Sequence, residues 1–295
     1  MILVVGSTGL VGSEVCRRLT ARGEAVRALV REASSRERIE GLRSCGVELF
    51  FGDLKDAASI AEACRGVEAV ISTASSTLAR QPGDSIGSVD AAGQLNLVRA
   101  AQESGADRFV FVSFRRTPGI SSPLGEAKER VEEAVKRLNF TIIQASWFME
   151  VWLSPALGFD YAKRAARIYG PGTNAISWVS FRDVAEICAI ALRDRAAERR
   201  TIEFGGPEAL SPLEVVARFE RIGGQAFRVE HVSEQALRAN FDGARDELEK
   251  SFAALMLGYA HGDAMDMSQV VEEFGMKLGR VEEYAAAVLG TGAPA

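Results

Sequence analysis

The chain has 295 residues, 47% of them hydrophobic and 25% charged, with a formal net charge of −5. That length buries one large core, or one core with a smaller lobe attached. The acidic balance, with only short basic clusters (Arg115-Arg116, and Arg193 to Arg200 broken by acids), argues against a general affinity for nucleic acid.

The elements expected along the chain alternate. Ile2 to Val5 is an apolar run suited to a buried parallel strand. A helical pattern runs from about Leu10 to Arg22 and stops at Gly23. Ala25 to Val30 is a second strand, and Ser34-x-x-Glu37 is a capping box for a helix ending near Gly46. Val47 to Phe51 is a third strand, followed by Gly52-Asp53, with Asp56 placed to cap a short helix. Ala69 to Ser72 is a fourth strand, and a long helix is expected over roughly Ser88 to Ser104. Arg108 to Ser113 is a fifth strand, about Pro123 to Leu138 a helix, and Phe140 to Gln144 a sixth strand. Strand and helix thus alternate six times, with connections long enough for right-handed crossovers. The expected fold is α/β, a Rossmann-like doubly wound parallel sheet with helices on both faces.

After Gln144 the rhythm breaks, and Trp147, Phe148, Trp152, Phe159 and Tyr161 crowd together. Ser180-x-x-Asp183, opening a helix to about Leu192, and the strand Thr201 to Phe204 return to the sheet domain. Ser211-Pro212-Leu213-Glu214 is a strong helix start, Gly223-Gly224 closes that helix, and the rest to about Leu289 reads as mostly helical. The expected division is a dinucleotide-binding domain, 1–146 plus about 175–205, and a smaller helix-rich C-terminal lobe, about 147–174 and 206–295, roofing a cleft.

The first strand ends in Gly6-Ser-Thr-Gly9-Leu-Val-Gly12. Beyond the carboxyl end of a strand, in a doubly wound sheet, such a loop is expected to be a pyrophosphate cradle, glycines that serve only a tight turn being the alternative. Gly6 permits the tight turn, Gly9 lets the backbone approach the ligand, and Gly12 lets the helix pack on the strand. The helix start adds free N–H groups and a partial positive charge. Loop candidates are therefore Gly6, Thr8, Gly9, Leu10, Val11 and Gly12. An NAD site usually carries an acid about 20 residues beyond the glycines. Here that count reaches Arg31, with Val30 before it, so a 2′-phosphate is favoured and NADP(H) is the expected cofactor. The alternative is Arg31 as a surface charge paired with Glu32. Asp53 suits either an adenine contact or a turn. The small residues Ser72-Thr73-Ala74-Ser75 suit either passage of a cofactor or a tight turn.

Four cysteines without a CxxC pair read as free thiols in a reduced interior, and two histidines without HExxH argue against a zinc site or a Ser-His-Asp triad. No metal is expected. No apolar run reaches the length of a membrane span, and the strand beginning at Met1 leaves no room for a leader, so a cytoplasmic protein is expected.

Taken together, GSTGLVG (6–12), RALVRE (27–32), GDL (52–54), FVFVS (109–113), AKERVEEAV (127–135), WFMEVW (147–152), VSFRDVAE (179–186) and FGGPEALSPLE (204–214) resemble the NmrA-like, NAD(P)H-binding branch of the atypical short-chain dehydrogenase/reductase family. The resemblance implies Arg31 as the 2′-phosphate ligand and Asp53 and Leu54 as adenine neighbours. It places Thr73 and Ala74 along the cofactor, Ser113 near its nicotinamide, and Lys128 where the family's active-site lysine lies, in contact with the cofactor as well as at the reacting centre. The superfamily's Tyr-x-x-x-Lys pair is broken: Leu124 stands four residues before Lys128, and leucine cannot donate a proton. Lys128 sits at the edge of its helix's apolar stripe, where a cation is partly desolvated. A snorkelling surface lysine helped by Glu132 is the alternative. Trp147 and Phe148 are expected to line a substrate pocket, or to be core. Two functions follow: an NADPH-dependent reductase of a small carbonyl, quinone or enone in which Lys128 neutralises the developing oxyanion, or a non-catalytic NADP(H)-sensing regulator. A homo-oligomer is compatible with either.

Overall fold

A computed structural model describes residues 1–78 and 80–291. The strands are β1 (Ile2–Val5), β2 (Val26–Val30), β3 (Glu48–Phe51), β4 (Ala69–Ser72), β5 (Arg108–Phe114), β6 (Phe140–Ala145), β7 (Phe159–Asp160), β8 (Ala165–Tyr169), β9 (Arg200–Phe204) and β10 (Arg228–Val232). The helices are α1 (Leu10–Ala21), α2 (Arg36–Ser44), α3 (Ala57–Ala63), α4 (Gln94–Glu103), α5 (Pro123–Val135), α6 (Met149–Trp152), α7 (Phe181–Ala191), α8 (Pro212–Gly223), α9 (Glu234–Asp242), α10 (Glu247–His261), α11 (Ser268–Phe274) and α12 (Val281–Val288).

Seven strands form a Rossmann-like sheet in the order β3-β2-β1-β4-β5-β6-β9. β1 pairs in parallel with both β2 and β4, so the strand order reverses at β1, the place where a doubly wound sheet binds its ligand. Continuous apolar strands such as Ile2-Leu3-Val4-Val5 are buried on both faces, as helices on each side require. The core around this sheet runs from Leu3 and Val5 through Val70, Phe109 and Phe111 to Val131 and Ile142.

The chain divides into two compact units. The first holds Met1–Phe114, Pro123–Gln144 and Val184–Ile202; the second holds Arg115–Ser122, Ala145–Asp183 and Glu203–Ala295. The second unit has its own core, in which Trp178, Tyr259, Phe219 and Phe227 are buried. It also has a three-stranded sheet in the order β10-β8-β7. Reading the chain beyond Gly224 as mostly helical missed β10, because Arg-Val-Glu-His-Val is largely exposed and gives no alternating apolar signal.

Local signals were sound elsewhere. The Ser211 hydroxyl and the Glu214 carboxylate form the reciprocal box that opens α8, and Asp56 accepts from the Ala58 amide. The cap of α2 is Ser35, one residue later than expected, accepting from Arg38 N. The expected helix 88–104 is two elements. A π-helical stretch, Ile86–Gly93, opened by a Ser85–Ser88 box, runs into α4. Apolar spacing over eight residues does not separate the two pitches. At the junction a Cβ on Gly93 would lie 2.9 Å from Leu54 Cβ, so glycine is needed there.

Candidate active site

The glycine loop is built by close packing. Gly6 has φ +82°, and a Cβ on it would lie 2.7 Å from both Ala74 N and Thr73 Oγ1. A Cβ on Gly12 would lie 2.2 Å from the Gly6 carbonyl oxygen. Gly9 differs: its φ is ordinary, and a Cβ there would meet only the Gly6 oxygen, at 3.2 Å. Space otherwise stands open beside Gly9. The buried Ser7 hydroxyl donates to Leu29 O (2.6 Å) and ties the loop to β2. No side chain caps α1, and its first turn carries no acid, so its leading amides keep their capacity for an anion. Thr8, Leu10 and Val11 lie on this turn. Leu10 is an exposed apolar side chain, and the Thr8 carbonyl accepts from Arg38 Nη1 (3.2 Å).

Arg31 follows β2 directly. Its guanidinium donates to Asp84 Oδ2 (2.6 Å), while Lys55 Nζ bonds the other oxygen of the same carboxylate. The Asp84 side chain is 1% exposed. Burial pushes its carboxyl up, but hydrogen bonds from Lys55, the Gln81 amide and Arg31 outweigh this and hold it below the usual carboxylate range. Arg31 is thus held by a carboxylate far along the chain. Asp53 forms a turn, accepting from the Lys55 amide (2.9 Å), with Lys55 Nζ 3.6 Å from its other oxygen. Leu54 is 6% exposed and its side chain belongs to the core. Thr73 donates to Val5 O (3.2 Å), and the Ala74 carbonyl accepts from the buried Gln94 amide (2.9 Å), so the small residues after β4 line the loop's other wall.

Lys128 is a buried lysine of the first unit. It lies on α5, 5% exposed, not on a solvated face. Its Nζ donates to Val112 O over 3.4 Å, sits 4.8 Å above the Phe111 ring and lies 3.9 Å from Asp90 Oδ1. Burial lowers its affinity for a proton, against the opposing charges of Asp90 and Glu132. Asp90, in the π-helical stretch, is fully buried. Its Oδ2 accepts from the Ser76 amide (3.0 Å) and hydroxyl (2.6 Å), and its Oδ1 has no hydrogen-bond partner. Ser113 donates its hydroxyl to Glu132 Oε1 (2.5 Å), and Gln144 donates to Glu132 Oε2 (3.0 Å). Leu124 is buried one turn before Lys128 and brings no proton donor to the site.

In the second unit Trp147 is 7% exposed, and its indole N–H has no hydrogen-bond partner. Its ring lies against Gly258, where a Cβ would be 3.2 Å from Cζ2, and beside Trp152. Phe148 bridges to Val179 through its backbone and is half-buried. Beside them Asp263 accepts from Ser146 (2.9 Å) and from Arg115 (2.6 Å).

Sequence reasoning did not single out Asp84, Lys55, Arg38, Ser76 or Asp90. The first four are polar residues in loops or on an exposed helix, with nothing to set them apart. Asp90 left a trace: it is a lone acid on an apolar helical face between Val89 and Ala91.

The NmrA-like family model matches residues 1–285. The chain is 31% identical over 246 residues to the NAD(P)H azoreductase of Xenophilus azovorans, covering 81% of this chain and 80% of that protein. It is 27% identical over 289 residues to the photosystem II assembly factor Ycf39 of a Synechocystis strain, covering 93% and 85%. Among solved structures, the NADPH-dependent quinone oxidoreductase QOR2 of Escherichia coli, in complex with NADPH, matches with a TM-score of 0.77. The match covers 98% of this chain and 99% of that one at 19% identity, a likeness of fold. No helix among the described residues is long and apolar enough to cross a membrane. The chain belongs to the NmrA-like family.

Proposed function

We propose that this protein is an NADPH-dependent reductase of a small carbonyl, quinone or enone, working without the Tyr-x-x-x-Lys pair. The observation that carries this reading is Lys128, a lysine nitrogen buried in the unit that holds the uncapped glycine loop, where it makes one long hydrogen bond. A lysine placed for solubility does not sit there. The azoreductase relative and the quinone oxidoreductase neighbour support the same class of reaction.

The residues present fit a dinucleotide. Gly6 and Gly12 fix the turn, the space beside Gly9 and the leading amides of α1 suit a pyrophosphate, and Arg31 takes the 2′-phosphate. Asp53, Leu54, Thr73, Ala74 and Ser113 are assigned to the remaining length of the cofactor. When bound, the nicotinamide supplies hydride. The chain's own contribution is the Lys128 ammonium, which offers a proton, directly or through water, to the oxygen that becomes anionic. Trp147 and Phe148 are assigned to the substrate. The four free cysteines suit a cytoplasmic setting.

Arg31 tests the cofactor assignment. In Arg31→Ala the dissociation constant for NADPH should rise roughly tenfold or more, the loss of one charged hydrogen bond of about 1.5–3 kcal/mol, while that for NADH stays put. Equal changes for both cofactors refute the assignment. The reaction is tested by following NADPH oxidation across a panel of quinones, enones and azo compounds. Turnover on at least one is expected.

A second reading, a non-catalytic NADP(H)-sensing regulator, is favoured by Leu124 in place of the superfamily tyrosine. It predicts no turnover on any member of the panel and unequal affinities for NADPH and NADP.

A further inference from the structure

The polar interior around Lys128 contains more than a proton donor needs. An ammonium has three N–H donors. Among the described residues its nitrogen meets one carbonyl at 3.4 Å, one aromatic face, and one carboxylate oxygen at 3.9 Å. That oxygen, Asp90 Oδ1, is buried and has no hydrogen-bond partner of its own. A buried carboxylate oxygen left bare is costly unless a cation faces it. The other oxygen is fixed by two hydrogen bonds from one residue, Ser76. Asp90 also lies in a π-helical stretch, a conformation found mostly as short insertions and often at functional sites. The carboxylate is therefore anchored on one side and aimed at Nζ on the other.

We propose that Asp90 is the positioning residue of Lys128: its carboxylate, anchored by Ser76, keeps the buried ammonium protonated and directs it for the proton step. The role in catalysis rests on the reductase reading; the pairing itself does not. The groups facing Nζ support the assignment. From the π-helical stretch comes Asp90, from α5 itself Glu132, and from β5 only the Val112 carbonyl and the Phe111 ring. Glu132 accepts from Ser113 and Gln144, while Asp90 Oδ1, with no hydrogen-bond partner, lies 3.9 Å from Nζ. Burial works against the charged lysine, and an opposite charge within about 4–6 Å restores it by about 1–3 pH units. After Nζ gives up its proton, a neutral amine stands beside the carboxylate, and a proton from solvent restores the pair.

The test is a titration of the Lys128 nitrogen itself. The chain has six lysines, and in protein labelled with 15N-lysine the Lys128 Nζ resonance is the one that disappears in Lys128→Arg. In Asp90→Asn its titration midpoint should fall by about one pH unit or more, and Asp90→Glu, which keeps the charge, should restore most of it. The alkaline limb of the kcat profile should move down by the same amount in Asp90→Asn, with KM for NADPH unchanged. A midpoint that does not move in Asp90→Asn overturns the proposal. If that variant does not fold, the wild type decides: an ammonium at pH 7 supports the pairing, and a neutral amine at pH 7 overturns it. The resonance reads the pairing in protein that turns nothing over, so failure of the reductase reading and failure of the pairing are told apart.

Discussion

Lys128→Ala should lower kcat by about 10²–10⁴-fold on whichever quinone, enone or azo compound the wild type reduces, the range of a positioned proton donor. The dissociation constant for NADPH should change far less, by about twofold to tenfold, since a single hydrogen bond contributes about 0.5–1.5 kcal/mol. A large effect on binding with little on kcat would make the lysine a cofactor clamp and remove it from the chemistry. The pH dependence follows from the direction of its shift. Burial lowers the proton affinity of Lys128, so the ammonium is lost at a lower pH than for a free lysine. The rate should therefore hold at low pH and fall as pH rises through that lowered value. Stability carries the opposite sign. Folding must keep charged a group that the unfolded chain charges more readily, so the ammonium costs stability below its folded-state pKa. The cost fades as pH rises toward the unfolded value, about 10.4. Removing the charge alone would leave Asp90 bare, which is why Lys128→Met is best read together with Asp90→Asn. That pair should be at least as stable as wild type at pH 7, with a melting temperature equal or higher, and inactive.

The sheet was legible in the sequence because its strands are continuous apolar runs broken by helix caps. Val47 to Phe51 and Arg108 to Ser113 needed no long-range information, and the structure places strands there within one residue of each bound. The glycine loop was legible from its spacing between a strand and a helix, although the close packing of Gly6 and Gly12 also involves Thr73, on the turn after β4. What lay beyond the sequence were partners made by folding. Arg31 could be expected to carry charge at the end of β2, yet its holder, Asp84, lies 53 residues on and depends on where the loop before the π-helical stretch lands. Asp90 stands 38 residues before Lys128, and nothing in the spacing brings them to 3.9 Å. Helical periodicity also hid the π pitch of Ile86–Gly93, since a wheel assumes the pitch it is meant to test. β10 was lost for a different reason. A strand paired in parallel with β8 but solvated over most of its length carries no burial pattern to read.

Gly9 and Gly12 look alike in the sequence and should respond differently to the same substitution. In Gly12→Ala the new Cβ would lie 2.2 Å from the Gly6 oxygen, 2.7 Å from the Gly6 carbon and 2.9 Å from Thr73 Oγ1. Two of these three atoms are backbone, and Gly6 is itself held in a left-handed turn, φ +82°, closely packed on Thr73 and Ala74. Helix α1 must then move off β1, an overpacking cost of about 1–3 kcal/mol or more. The melting temperature should drop by several degrees, and NADPH binding should be lost with it. Gly9→Ala is the contrast. Its backbone, φ −84° and ψ 173°, is open to any residue, and the added methyl meets one oxygen at 3.2 Å. Alanine is a poorer N-cap than glycine by about 0.5–1 kcal/mol, so stability should shift by little more than that. The methyl would nonetheless occupy the space through which a pyrophosphate reaches the α1 amides, and the dissociation constant for NADPH should rise at least about tenfold, the equivalent of about 1.4 kcal/mol. Thermal melts with fluorescence titration of NADPH measure both quantities on the same variants. If Gly9→Ala binds as wild type does, the space beside Gly9 is not the phosphate path, and the anion-binding assignment of the α1 start fails, however badly Gly12→Ala behaves.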